Sequence, residues 1–160
     1  CNDNGTIRIS SGILGGMTDT SSYNTIENNV FSYGGHDGFD LGGFRNVIRN
    51  NVFHNEEAYY SDPGGCTNSP TSGYFGNRNL IVTNYGANTT QYNLIEGNRL
   101  GHAGTPPDDD GAFGIENAGE YMIIRHNYMF GNGASGYYSK GQGVGANYLR
   151  LYNNTIYSNG

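Results

Sequence analysis

Tryptophan is missing from the 160 residues, and lysine occurs once, as Lys140. The formal net charge is −6, and the seven arginines form no basic run. Nucleic-acid binding rests on clustered cations that neutralise phosphates, so nucleic acid is not an expected partner. Apolar runs stay far below the roughly 18 residues that a membrane-spanning helix needs, which predicts no transmembrane segment. Four prolines are too few for a disordered linker. Two cysteines, Cys1 and Cys66, make no disulfide scaffold even if they pair. No Cys-x-x-Cys occurs and no two histidines have metal-ligand spacing, which argues against zinc. The sequence begins at Cys1 without an initiator Met or a signal peptide. It therefore reads as processed or excised, with a lipidated Cys1 as one expectation and a domain cut as the other.

What is abundant is glycine (27), asparagine (23) and tyrosine (14). Gly and Asn weaken helix interiors and suit turns, while the apolar residues here are regularly spaced. The composition predicts one folded, strand-rich domain over 1–160, with the option that it is a fragment of a longer solenoid. Few lysines beside much Asn, Gly and Tyr fit an exported protein, so the expected location is secreted or cell envelope.

The regularity is a repeat. T-I-E-N-N-V-F (25–31) returns as V-I-R-N-N-V-F (47–53), L-I-E-G-N-R-L (94–100), I-I-R-H-N-Y-M (123–129) and R-L-Y-N-N-T-I (150–156). One column is aliphatic throughout: Ile26, Ile48, Ile95, Ile124, Leu151. Three residues on stands an unbroken asparagine column, Asn29, Asn51, Asn98, Asn127 and Asn154. Two further on the column is apolar again: Phe31, Phe53, Leu100, Met129, Ile156. A minimum spacing of 22 residues suits one rung of a parallel β-solenoid. Asparagines stacked at a bend would bond to one another and to the backbone groups that the strands leave unpaired there. Beside the aliphatic column, Glu27, Arg49, Glu96 and Arg125 alternate in sign, as an outward charge ladder should. His126 replaces Asn or Gly at its corner and is expected to face outward.

The phrase N-x-I-x-x-N-x-F at this spacing resembles the right-handed parallel β-helix repeat of the pectate-lyase-like superfamily, over residues 20–160. The resemblance implies an all-β, right-handed parallel β-helix (β-solenoid) of about five to six rungs. It also implies a polysaccharide partner, since the superfamily holds polysaccharide lyases, glycoside hydrolases and uronan epimerases beside tailspikes and adhesins. Two functions stand side by side. One is a polysaccharide-active lyase or glycoside hydrolase; the other is a non-catalytic structural, adhesive or carbohydrate-binding solenoid, with end-to-end or oligomer contacts at its open strand edges.

Candidate chemistry lies where the repeat is interrupted, because residues beyond the minimum rung must leave as loops. Gly38, Gly73, Gly111 and Gly136 read as equivalent anchors of a further strand. On that alignment the loops 54–73 and 101–111 emerge side by side from one corner and flank a glycan groove. Asp37 and Asp110 each precede an anchor glycine, two rungs or about 9–10 Å apart. That suits the acid and base of an inverting glycosidase, with His36 beside them. Lys140 is the base that a lyase-type reaction would need, with Arg99 and Arg125 as candidate neutralisers. Tyr59, Tyr60, His102, Tyr137 and Tyr138 are the candidate substrate-binding residues, the tyrosines offering flat faces with a hydroxyl. In P-P-D-D-D-G, Asp108 and Asp109 are candidate ligands for Ca2+, although the alternating spacing of a calcium loop is missing.

Overall fold

The structure, a computed structural model, describes residues 7–9, 22–32, 37–54, 78–82, 90–103, 112–140 and 147–160, with the backbone alone for 7–9 and Asp37. The strands follow in threes: β1 (Ile7–Ile9), β2 (Thr25–Glu27), β3 (Val30–Ser32); β4 (Asp37–Leu41), β5 (Val47–Arg49), β6 (Val52–His54). Next come β7 (Arg78–Val82), β8 (Leu94–Glu96), β9 (Arg99–Gly101); β10 (Phe113–Asn117), β11 (Ile123–Arg125), β12 (Tyr128–Phe130). The last three are β13 (Ser135–Ser139), β14 (Arg150–Tyr152) and β15 (Thr155–Tyr157). Every third strand pairs with the one before it, in parallel. The result is three five-stranded sheets: sheet 1 in the order β1-β4-β7-β10-β13, sheet 2 in the order β14-β11-β8-β5-β2, and sheet 3 in the order β15-β12-β9-β6-β3. The described residues are thus all-β, with no helix, in the stacked parallel arrangement of a β-solenoid. No helix among them is long and apolar enough to cross a membrane.

The register puts each expected column in one line. Ile26 pairs with Ile48, Ile48 with Ile95, Ile95 with Ile124 and Ile124 with Leu151. Phe31, Phe53, Leu100, Met129 and Ile156 align in sheet 3 in the same way. Both columns point inward and form the core with Phe39, Leu41, Leu80, Val82, Ile115 and Met122. In the last layer the same positions, Leu151 and Ile156, are 39% and 46% exposed.

The spacing Ile-x-x-Asn now has a physical reason. Asn51 Nδ2 donates to Ile26 O in the layer before it, at 2.9 Å, and to Asn98 Oδ1 in the layer after it, at 3.1 Å. Asn98 repeats this with Ile48 O and Asn127 Oδ1, and Asn127 with Ile95 O and Asn154 Oδ1. Each Oδ1 also accepts the backbone N–H of the preceding asparagine, as in Asn51 N to Asn98 Oδ1 at 2.9 Å. The groups that strands leave unpaired at a bend are satisfied by side chains in the next layer.

Two further amide ladders were not singled out in the sequence. Asn24, Asn46 and Asn93 form one at the entry to sheet 2, where it ends on Met122 Sδ. Asn79, Asn132 and Asn159 form the other between sheets 3 and 1. Each corner also carries a residue of positive φ. Between sheets 2 and 3 these are Asn28, Asn50, Gly97, His126 and Asn153; His126 is exposed there, as expected.

Sheet 1 departs from the sequence reading. Asp37 pairs with Arg78, Leu80 with Ile115, and Phe113 with Ser135. The residue level with Gly38 is therefore Asn79, and the residues level with Gly136 and Asn79 include Gly114, not Gly73 or Gly111. The column is not uniformly glycine, because Asn79 stands between Gly38 and Gly114. A Cβ on Gly114 would stand 2.5 Å from Gly136 O, and one on Gly38 2.6 Å from Asn79 O. Asn79 stands in the same column with a side chain whose Nδ2 donates to Gly101 O and Asn132 Oδ1.

Candidate functional site

Gly38, Asn79, Gly114 and Gly136 form one column across sheet 1. Side chains that flank this column meet between neighbouring layers. Phe113 stacks on Tyr138 with ring centroids 4.5 Å apart and planes 15° from parallel. Arg78 Nε donates to Glu116 Oε2 across the same column. Glu116 is only 1% exposed although it faces outward, because Arg78 and Lys140 close over it.

Lys140 Nζ lies 2.9 Å from Glu116 Oε1, an ion pair that leaves Oε1 without a properly angled hydrogen bond. Burying one carboxylate against two cations is tolerable, since the pair attraction offsets the lost hydration. Beside this ion cluster lies a cavity of about 410 Å³ lined by Arg78, Phe113, Glu116, Ser135, Tyr138 and Lys140. Its walls combine an aromatic surface, two cations, a carboxylate and a hydroxyl-bearing side chain. Such a mixture suits a ligand that is apolar on its ring faces and hydroxylated at its edges.

The sequence-predicted residues distribute as follows. Lys140 and Tyr138 line this cavity, and the backbone of Asp37 pairs with Arg78 at its margin. Tyr137 faces the other way: it packs on the core and its hydroxyl accepts from Asn117 Nδ2 at 3.3 Å, with burial raising its pKa. His102 stands at the corner after β9, its ring edge-on to Phe130 at 5.2 Å. Arg99 lies over Tyr128 and Phe130 on sheet 3, and Arg125 is held by Glu96 and Tyr152 on sheet 2, so neither reaches this cavity. His36, Tyr59, Tyr60, Asp108, Asp109 and Asp110, with most of the loops 54–73 and 101–111, lie outside the described residues. The column that holds Asp37 continues as Arg78, Phe113 and Ser135. Among the described residues no group of three His, Cys, Asp or Glu is placed to hold a metal ion.

Arg78 and Glu116 are the residues the sequence did not point to. Their signal was a single charge inside an otherwise uncharged strand, F-G-I-E-N and R-N-L-I-V, where an unpaired charge would be costly. Neither segment shares the Asn repeat that drew the eye elsewhere. No protein-family model, curated protein or solved structure matches the chain.

Proposed function

We propose that this chain is a secreted or cell-envelope, polysaccharide-active protein on a right-handed parallel β-helix of about five to six rungs, and that it holds a glycan over the outer face of sheet 1. The observation that carries this reading is a cavity lined together by the paired charges of Arg78, Glu116 and Lys140 and by the stacked rings of Phe113 and Tyr138. A sugar ring lies on the exposed part of the aromatic stack, and Arg78 and Lys140 attract any carboxylate the sugar carries. If the reaction is of lyase type, Lys140 is its base; if hydrolytic, the acid–base pair is Asp37 and Asp110, with Asp108 and Asp109 as ligands of any Ca2+ requirement.

One observation favours the non-catalytic alternative, a carbohydrate-binding solenoid. The Lys140 ammonium is already committed to Glu116 at 2.9 Å, which suits recognition better than proton abstraction.

Both readings are tested by one screen of polyuronates and neutral polysaccharides. Binding is followed by affinity electrophoresis, unsaturated product by absorbance and chain cleavage by reducing ends, with and without EDTA. The reading expects binding that Phe113→Ala and Tyr138→Ala weaken at least tenfold. Product in neither channel, with binding retained, leaves the binding solenoid. Unaltered binding in both variants rejects the sheet 1 site.

A further inference from the structure

A second aromatic array lies at the corner between sheets 1 and 2. Tyr92, Tyr121 and Tyr148 occupy equivalent positions in three successive layers. Tyr92 and Tyr121 stack at 4.7 Å between centroids and 16° between planes; Tyr121 and Tyr148 stack at 4.4 Å and 7°. All three residues have positive φ, at 57°, 51° and 55°. Side chains other than Gly, Asn and Asp are disfavoured in that conformation, and bulky ones most of all. The corner between sheets 2 and 3 follows this preference, with Asn, Asn, Gly, His and Asn at the equivalent positions. The corner between sheets 1 and 2 works against it in layer after layer, with Tyr23, Arg45, Tyr92, Tyr121 and Tyr148 at the equivalent positions.

The stack is open to solvent, Tyr92 being 52% and Tyr148 71% exposed. Beside it runs a groove of about 460 Å³ lined also by Met122, Leu149 and Arg150. Desolvation in the middle of the stack is the main reason that the Tyr121 phenol is raised. Two directly bonded phenyl rings have centroids about as far apart as these stacked ones. Covalent coupling therefore requires the rings to turn and not to approach.

We propose that the Tyr92–Tyr121–Tyr148 stack is an oxidative modification site, at which a peroxide-driven one-electron oxidant joins Tyr121 to a stacked neighbour as dityrosine. The oxidant is of the haem-peroxidase class, with hydrogen peroxide as its co-substrate. Each of two phenols gives up one electron and its hydroxyl proton, leaving two phenoxyl radicals. The unpaired electrons combine as one carbon–carbon bond between ring carbons ortho to the oxygens. The two ring protons at that bond then move to the oxygens, restoring both phenols. Two electrons and two protons have left the protein, and one peroxide has become two waters. Stacking favours this path because the second radical forms beside the first, without diffusion between molecules.

The link would tie adjacent layers covalently at a corner, and it is independent of the glycan site. The test treats the dilute, intact chain with a haem peroxidase and hydrogen peroxide. Dityrosine is then read by its fluorescence, by gel mobility and by mass spectrometry of proteolytic peptides. The expected result is an intramolecular link joining the Tyr121 peptide to that of Tyr148 or Tyr92, in a yield that does not change on dilution. Tyr121→Phe should remove most of it, whereas Tyr23→Phe, at an exposed tyrosine outside the stack, should leave it intact. The proposal is overturned if the links found join other exposed tyrosines such as Tyr152 and Tyr157, if they form only between molecules, or if no dityrosine forms. The peptide map of the unsubstituted protein decides this even if Tyr121→Phe fails to fold.

Discussion

At the scale of single residues, the asparagine side chain does the work that a strand ladder cannot do at a bend. Asn98 is fully enclosed and satisfies Asn51 N, Ile48 O and its two neighbouring amides. Asn98→Ala leaves a buried N–H and a buried carbonyl without partners, so a loss of about 3 kcal/mol is expected. Asn29→Ala, at the exposed start of the ladder, should lose under about 1 kcal/mol because water replaces the amide. Urea unfolding midpoints check both. Tyrosines add a pH dependence. Burial raises Tyr137, a hydrogen bond to Tyr157 raises Tyr128, and burial raises Tyr121, all from an ordinary value of 10.0. The folded chain then holds these protons more tightly than the unfolded chain does. The stability they contribute is complete below pH about 10 and is lost as pH rises through the raised values. The urea midpoint should fall as pH rises above about 10, and fall less in Tyr137→Phe. The asparagine column was legible in the sequence because its chemistry tolerates no substitute in any of the five copies. The tyrosine corner was not, because backbone conformation there runs against residue preference and no local pattern announces it.

Among elements, sheets 2 and 3 were readable and sheet 1 was not. Strands β5 and β6 are three residues long and separated by one fixed corner, so their columns survive any change of length elsewhere. Strand β7 has no such tether in sequence, and its anchor is Asn79 where glycine was expected. The outer faces differ in energetics as well. Arg49 Nε meets Glu27 Oε2 at 2.5 Å, but the two side chains are 43% and 39% exposed. Arg49→Ala should therefore leave the unfolding temperature almost unchanged. Glu116→Gln is a different case, since it removes the charge that balances Arg78, whose side chain is only 11% exposed. A loss of about 3 kcal/mol is expected there, the low end for removing one partner of a buried pair. Thermal unfolding of the two variants side by side distinguishes the solvated ladder from the buried cluster. A similar loss in both would mean that Glu116 is hydrated after all.

The molecule as a whole is a stack in which each layer touches chiefly the layers above and below. Stability should then be close to a sum of layer and interface contributions, and damage should be felt according to depth. Ile95→Ala, at a fully buried position in the middle layer, should lose about 2–5 kcal/mol. Leu151→Ala, in the same column of the last layer, should lose far less and should speed amide exchange only in β14 and β15. Exchange rates measured strand by strand test this; equal damage from both would show a single cooperative unit. One consequence reaches beyond stability. The bond from Asn29 N to Asn51 Oδ1 spans 22 residues and the bond from Asn51 N to Asn98 Oδ1 spans 47, yet their lengths are 3.0 and 2.9 Å. The corner does not register how much chain is spooled out between one layer and the next. Layers clamped in this way accept connections of very different length, so an insertion between two layers need not disturb the amides that hold them together.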